Sequence, residues 1–324
     1  MSGAPSGPDP RFSVVVPAYN STATIATTIR SVLAQTASDL ELLVVDDAST
    51  DGTVALVEGY AADDPRIRVI ERENGGVSAA RNTGIEHARG RYVGFLDHDD
   101  AWLPRYLERV GERFAAHGDA GLVYADCWTM LDRDKRVHRL TTLQDHSPVD
   151  PDARAERFLE QLLRVNFITA SSVTVSRVAL DRVGGFSAEA MPSDDWDLWL
   201  RIAGAGFRCL GTGGEPLVLL RETATSQSKD PALMARSATA TMRRARERLE
   251  PRSAARALAD ARLAELDREL RALERPSAWQ RLEAGARAAA RPVVRELVHR
   301  RAWRPPSPRV RAELEALGEL PPTR

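Results

Sequence analysis

The stretch that most constrains this chain is Tyr92-Val93-Gly94-Phe95-Leu96-Asp97-His98-Asp99-Asp100, an apolar run that stops in three carboxylates. Residues 92 to 96 carry no charge, which suits a short strand buried on both faces of a parallel sheet. Carboxylates at its C-terminal end then project into the crevice where open α/β sheets take their ligands. Asp97 and Asp99 stand two apart, so both side chains can aim the same way. Close carboxylates repel each other and lose hydration together. A hard divalent cation, Mg2+ or Mn2+, relieves both costs and also binds phosphate oxygens. A local reading competes: Asp100, ahead of Ala-Trp-Leu-Pro, is placed to cap a helix starting near Leu103. This stretch alone leaves both open.

The earlier apolar runs repeat the arrangement. Phe12 to Val16 predicts a strand, Pro17-Ala18-Tyr19-Asn20 a turn, and Ser21 or Thr22 the cap of a helix running to about Gln35. Leu40 to Val45 predicts a second strand, closed by Asp46-Asp47-Ala48-Ser49-Thr50-Asp51-Gly52 before a helix over 53–62. An aspartate at such a tip, Asp47, can accept from the imide N–H of a uracil or from a ribose hydroxyl. An Asx-type turn with helix capping explains some of Asp46, Ser49 and Asp51. Ile67 to Ile70 is a third strand, followed by Asn74-Gly75-Gly76-Val77-Ser78-Ala79-Ala80-Arg81-Asn82-Thr83-Gly84. Small residues at a helix start, with an Arg one turn further in, fit an anion, and they also occur in ordinary β-α connections. Four β-α units in succession predict a parallel, doubly wound half-sheet. The first turn has no GxGxxG, which argues against NAD and FAD.

The four segments VVVPAYN, VVDDASTDGT, NGGVSAARNTG and YVGFLDHDDAWLP resemble, in order and spacing over residues 12 to 104, the inverting family-2 glycosyltransferases of the GT-A fold. The resemblance implies an α/β architecture: a Rossmann-like, mostly parallel central sheet with helices on both faces. It places Pro17, Tyr19 and Asp47 at the uracil or other base, Arg81 near the nucleotide, and Asp97 and Asp99 at a metal on the donor's diphosphate. Asp97 thereby also touches the nucleotide sugar. His98 stands where the family often has a small residue. Alternate side chains point oppositely, so His98 is read as structural and not as a ligand.

Further along, the sequence predicts a helix over 103–117, a strand from Gly121 to Met130, and a hairpin or loop in LDRDKRVHRLTTLQDHSPVD, where the resemblance starts the acceptor-binding half. A helix over 153–163 and a strand near 170–175 follow. Pro192-Ser193-Asp194-Asp195-Trp196-Asp197-Leu198-Trp199-Leu200-Arg201-Ile202 is helical from about Asp194, with Leu198, Ile202 and either Trp196 or Trp199 at inward spacing. Asp194 and Asp195 lie at the helix end that favours negative charge; capping explains one of them but hardly both. The segment resembles the family's acceptor-side ED motif, whose Asp is the general base. Aligned through DLWLR, the implied catalytic pair is Asp195 as base and Asp194 in the Glu position. Strands near 207–210 and 217–220 close the domain, with residues 223–228 as a flexible loop placed to cover the diphosphate. The Gln-x-x-Arg-Trp motif of processive synthases is missing, which favours single-sugar transfer.

Composition sets the limits. With 43% hydrophobic residues the chain has material for a sizeable core. No run of about 18 apolar residues exists and the start lacks a signal-peptide core, so the expected location is cytoplasmic. Cys127 and Cys209 lack ligand spacing and read as buried small hydrophobes. Residues 231–324 hold 21 Arg against 12 acidic residues, about +9, which leaves about −10 for residues 1–230. An acidic front half without a nucleic-acid motif argues against nucleic-acid binding. The expected organisation is a disordered lead over 1–10, a glycosyltransferase domain over 11–230, and a helical Arg/Ala-rich region over 231–324. In the last, residues 279–304 carry seven Arg with Trp279 and Trp303. This composition suits docking on the catalytic domain or in a homodimer, or an amphipathic helix at an anionic inner-membrane surface.

The function expected is transfer of one sugar, with inversion, from a nucleotide diphosphate sugar, UDP-sugar favoured, to a hydroxyl of a glycan, glycolipid or small-molecule acceptor, as in cell-surface polysaccharide or glycolipid synthesis. Two alternatives belong to other classes. A nucleotidyltransferase would carry a Gly-rich N-terminal loop with a reactive Lys, and the chain has only Lys135 and Lys229. A sugar-nucleotide-binding scaffold without catalysis stays open, although the presence of Asp47, Asp97, Asp99 and Asp195 together argues against it.

Overall fold

Four strand-helix alternations build one side of the sheet. The computed structural model describes residues 9–131, 136–140, 155–222, 230–274 and 307–318. Strands β1 (Phe12–Ala18), β2 (Leu40–Asp46), β3 (Ile67–Glu71) and β4 (Tyr92–Phe95) lie in the order β3-β2-β1-β4, all parallel. Helices α1 (Ile25–Leu33), α2 (Thr53–Asp63) and α3 (Val77–His87) connect them. Every residue of β1, β2 and β4 is buried, which is why these strands read as mostly apolar runs; the buried Ser13 and Glu41 are the interior exceptions, and the Ser13 hydroxyl donates to Glu41 Oε1 at 2.7 Å. Val14 and Val16 pack with Ile25, Ile29 and Val32 of α1 on one face; Val15, Leu43 and Val45 pack with Ala80 of α3 on the other. The approach of α3 requires a glycine: a Cβ on Gly84 would sit 2.3 Å from Val15 Cγ1.

The second half adds β5 (Ala101–Trp102), α4 (Tyr106–Ala116), β6 (Ala120–Leu131), β7 (Arg136–Leu140), α5 (Ala155–Leu162), β8 (Val173–Ser176), α6 (Arg177–Val183), α7 (Asp194–Gly204) and β9 (Arg208–Glu222). Strand β8 runs antiparallel between β4 and β6, β9 runs parallel to β6, and β5 and β7 pair antiparallel with β9 and β6. Six of the nine described strands, β1 to β4, β6 and β9, therefore point one way.

Several local expectations change. The two strands predicted near 207–210 and 217–220 are one, β9, whose pairing with β6 slips around Asp126. Residues 101–102 join β9 as a strand, so the helix predicted from 103 begins at Tyr106. Helix α1 begins at Ile25 and is not capped by Ser21 or Thr22. The Thr22 hydroxyl donates instead to Asp51 at 2.9 Å, and the Ser21 amide donates to the Thr53 hydroxyl at 2.8 Å. Polar loop residues that look like local caps are in fact cross-links between the first two β-α turns.

The C-terminal helices are present as α8 (Pro231–Arg248), α9 (Ala254–Glu274) and α10 (Pro308–Ala316). Met242 and Ala245 of α8 and Ala259 and Leu266 of α9 belong to the same core cluster as Leu198 and Trp199 of α7. Val310 and Leu314 of α10 pack with Ala101, Trp128 and Leu219 at the β5–β9 edge. Among the described residues no helix is long and apolar enough to cross a membrane. Residues 1–8, the 223–228 loop and the Arg-rich 279–304 segment lie outside the described residues.

Candidate active site

The site lies at the C-terminal ends of β1, β2 and β4 and the N-terminus of α7. Pro17 is buried in β1 opposite Val45, while Tyr19, just past the strand, is 49% exposed. Asp47 follows β2, and the loop after β3 folds onto its carboxylate. The Gly75 amide donates to Oδ1 at 3.0 Å, the Gly76 amide donates to Oδ2 at 2.7 Å, and Arg72 forms an ion pair with the same group. Gly76 reaches this geometry with φ at 83°, where a side chain would be strained. The neighbouring polar residues hold the turn, and α2 has Gly52 at its N-cap with no side-chain cap. Asp46 Oδ2 accepts from the Ser49 amide at 2.9 Å, and Asp51 Oδ1 accepts from the Thr53 amide at 2.9 Å.

Past β4 the three carboxylates separate in role. Asp97 Oδ1 lies 2.7 Å from Arg81 Nη2, and no described residue donates to its Oδ2. Asp100 does not cap a helix: its Oδ2 accepts from the Ser171 hydroxyl at 2.6 Å and its Oδ1 from the Arg221 amide at 2.9 Å. It ties the tip of β4 to β9 and to the turn before β8. Burial, then Asp99 and Asp97, push the Asp100 carboxyl well up, and burial with Asp97 also raises Asp99. His98 Nδ1 lies 3.2 Å from the hydroxyl of Thr24, the residue before α1. Among the described residues no group of three or more His, Cys, Asp or Glu is arranged as a metal cage. The donor set fits Mg2+ or Mn2+ nonetheless, since such ions are held by one or two carboxylates and complete their shell with substrate phosphates and water. Asp97 and Asp99 are the residues that would hold it.

Helix α7 brings the other half of the site. Asp194, buried, accepts at Oδ2 from the Ser78 hydroxyl at 2.7 Å and from Arg81 Nη1 at 3.1 Å. Arg81 is 5% exposed, and its guanidinium lies 5.1 Å from the centroid of the Phe186 ring. Asp195 Oδ1 accepts from the Trp196 amide at 2.5 Å and from Asn166 Nδ2 at 3.2 Å. Burial, then Asp194, push the Asp195 carboxyl up to about 7, against the pull of Arg81 and these two hydrogen bonds. Asp197 faces elsewhere. Buried at 1% exposure, it pairs with Arg201 at 2.8 Å and with Arg248 of α8 at 3.2 Å. Ser237 of α8 also accepts from the Ser193 amide at 3.1 Å and donates to the Ala190 carbonyl at 2.8 Å, fixing the turn ahead of Asp194. Asp97 after β4 and Asp194 at the start of α7, next to Asp195, thus meet on one arginine. The arrangement can hold an anionic leaving group on one side and accept a proton on the other.

Comparison with known proteins gives the family and the fold. The model of the family described as Glycosyl transferase family 2 matches residues 13–182, just over half of the chain. The chain belongs to the family-2 glycosyltransferases. Among curated relatives of this glycosyltransferase, TuaG of Bacillus subtilis (strain 168), a glycosyltransferase assigned provisionally to teichuronic acid biosynthesis, is 32% identical over 213 residues, 62% of this chain and 75% of its own length. The succinoglycan biosynthesis protein ExoO of Rhizobium meliloti (strain 1021) is 48% identical over 110 residues, 34% of this chain and 31% of its own. Coverage is smaller for others: the chain spans 20% of the uncharacterized protein y4gI of Sinorhizobium fredii and 30% of EpsJ of Bacillus subtilis. Of solved structures, residues 1–349 of S. aureus TarS in complex with UDP-GlcNAc superimpose with a TM-score of 0.62 at 21% identity, covering 81% of this chain and 73% of that one. The mannosyltransferase PcManGT of Pyrobaculum calidifontis, in complex with GDP-Man and Mn2+, gives 0.56 at 24% identity, covering 87% and 81%. These likenesses show the fold, which is of the GT-A type.

Asn166 is the residue the sequence reading missed. It stands in no motif, on the short connection after α5, and only the three-dimensional approach of α5 to α7 brings it to Asp195.

Proposed function

We propose that this glycosyltransferase moves a single sugar, with inversion, from a nucleotide diphosphate sugar to an acceptor hydroxyl, using Asp195 as general base. The observation that carries the reading is the convergence of the Asp97 tip and the Asp194-Asp195 helix start on Arg81. Inversion needs one displacement, with leaving group and base on opposite sides of the sugar. The acceptor oxygen forms its bond to the anomeric carbon as the bond from that carbon to the diphosphate breaks. The acceptor proton passes to the Asp195 carboxylate, and the electron pair leaves with the nucleotide diphosphate. A hydroxyl is too weak an acid to ionise at neutral pH, and a positioned carboxylate contributes about 10²–10⁴-fold.

Asp97 and Asp99 are assigned to Mg2+ or Mn2+, which when bound neutralises charge gathering on the diphosphate. Asp99, raised by burial and by Asp97, supports this assignment, and PcManGT was solved with Mn2+. Arg81 holds Asp97 and Asp194 in register and lies next to the nucleotide. Tyr19, exposed beside Pro17 and the β2 tip, bounds or stacks on the base. Asp47 orders the 72–76 loop and, in this proposal, accepts from a uracil imide or a ribose hydroxyl. UDP-sugar is the favoured donor; the TarS structure is a complex with UDP-GlcNAc. The relatives in teichuronic acid and succinoglycan biosynthesis support a growing polysaccharide or a glycolipid as the acceptor class.

The test is a panel of UDP-, GDP- and dTDP-sugars incubated with the full chain and Mn2+, following release of the free nucleotide with water as acceptor. Slow hydrolysis of one nucleotide class is expected. Binding without turnover of any donor would leave a sugar-nucleotide-binding scaffold, and pyrophosphate formation from a sugar phosphate and a nucleoside triphosphate would mark a nucleotidyltransferase.

A further inference from the structure

A general base must present one particular oxygen to the acceptor, and a carboxylate has two. Asp195 Oδ1 already accepts from the Trp196 amide at 2.5 Å and from Asn166 Nδ2 at 3.2 Å, whereas no described residue donates to Oδ2. The amide orientation of Asn166 follows from charge: its carbonyl end turned toward Asp195 would set two acceptors against each other. Asn166 Oδ1 is itself buried and finds no hydrogen-bond partner among the described residues. The hydrogen bond this side chain makes among the described residues is therefore the donation to Asp195, and its carbonyl end adds none.

The backbone that carries Asn166 is firmly held. Amides of residues 163 to 165 continue the hydrogen bonding of α5, and Phe167 and Ile168 next in line are buried in the core. The Trp196 indole donates to the Leu162 carbonyl at 2.8 Å, locking the end of α5 to the start of α7. The distance from Asn166 to Asp195 is therefore set by two packed helices and not by a free loop. The charged groups acting on Asp195 are Asp194 beside it and Arg81 from α3, while Arg244 and Arg248 of α8 engage Asp197 instead.

We propose that Asn166 is a positioning residue for proton transfer: its amide fixes Asp195 Oδ1 and leaves Oδ2 as the oxygen that takes the acceptor's proton. The proposal rests on the reading of Asp195 as the base and adds the group that aims it. Donation from Asn166 favours the ionised carboxylate, so its removal must raise the affinity of Asp195 for a proton.

The experiment uses the full chain and three variants. Asn166→Ala removes the donor, Asn166→Asp keeps the shape but sets a carboxylate against Asp195, and Asp195→Asn is the reference. The Asp195 resonance, identified by its loss in Asp195→Asn, is titrated by carboxyl carbon NMR in protein labelled at aspartate. The pH profile of nucleotide release from the best-hydrolysed sugar nucleotide is measured in parallel. The titration midpoint and the acid limb of turnover should move up together by about one unit in Asn166→Ala, and further in Asn166→Asp. A merely structural role would lower turnover at every pH without moving either. Parental midpoints and limbs in both variants, with turnover abolished in Asp195→Asn, would overturn the role of Asn166 alone. Near-parental turnover in Asp195→Asn would overturn the base assignment, and the role of Asn166 with it.

Discussion

Asp97 and Asp194 share one guanidinium: Arg81 Nη2 lies 2.7 Å from Asp97 Oδ1 and Nη1 lies 3.1 Å from Asp194 Oδ2. One carboxylate ends β4 and the other opens α7, so this arginine joins the two halves of the domain at the point where donor and acceptor would meet. A planar fork presents separated donors to both partners in a fixed geometry, which the compact ammonium of a lysine does not.

Arg81 is almost wholly buried, and its loss leaves Asp194 buried with only the Ser78 hydroxyl donating to that oxygen. Arg81→Met should therefore cost about 3–5 kcal/mol in chemical denaturation. Arg81→Lys should recover part of the stability but little donor turnover. A variant of parental stability would mean that the bridge contributes nothing to the fold.

Asp99 carries a carboxyl raised by burial and by Asp97, and a divalent cation would relieve that strain. Chelation with EDTA should stop nucleotide release and added Mn2+ should restore it. Asp99→Ala should lose on the order of a hundredfold with the metal present. Full activity in EDTA and in Asp99→Ala together would remove the metal from the mechanism.

Asp47 has two consequences to separate. Calorimetry should show UDP binding more tightly than GDP or dTDP, with the preference lost in Asp47→Ala. Hydrogen exchange at the Gly75 and Gly76 amides, both bonded to this carboxylate, should speed up in the same variant. Equal binding of the three nucleotides would reject the base contact, whatever the loop does.

The framework was legible because β1, β2 and β4 are buried on both faces and read as mostly apolar runs followed by polar residues. The carboxylates at the tips of β2 and β4 were legible for the same reason, and the pair opening α7 through its resemblance to the family's ED motif. Other roles depend on partners far along the chain. Asp100 resembled a helix cap because Ser171 and Arg221, which hold it, cannot be paired with it from spacing. Asp197 sat in a helix pattern like any surface residue, yet Arg248 and Arg244 arrive from α8 to bury it. Asn166 had no signal beyond its type.

The acidity of Asp195 sets the pH dependence. Burial and Asp194 push its carboxyl up to about 7, and only the ionised form can take a proton. Turnover should fall as pH drops through about 7 and level off above it. Asp194→Asn removes the like charge, so the acid limb should move to lower pH. An upward shift would mean that Asp194 supports the ionised base through Arg81 and does not oppose it.

The direct measurement is turnover and product stereochemistry in the parent and in Asp195→Asn, which keeps the shape of the side chain and removes the base. The variant should bind nucleotide and Mn2+ nearly as the parent does while losing about 10²–10⁴-fold in turnover. Proton NMR of the parent's first-formed sugar product should show the anomer inverted relative to the donor. A retained anomer, or near-parental turnover in Asp195→Asn, would contradict the account.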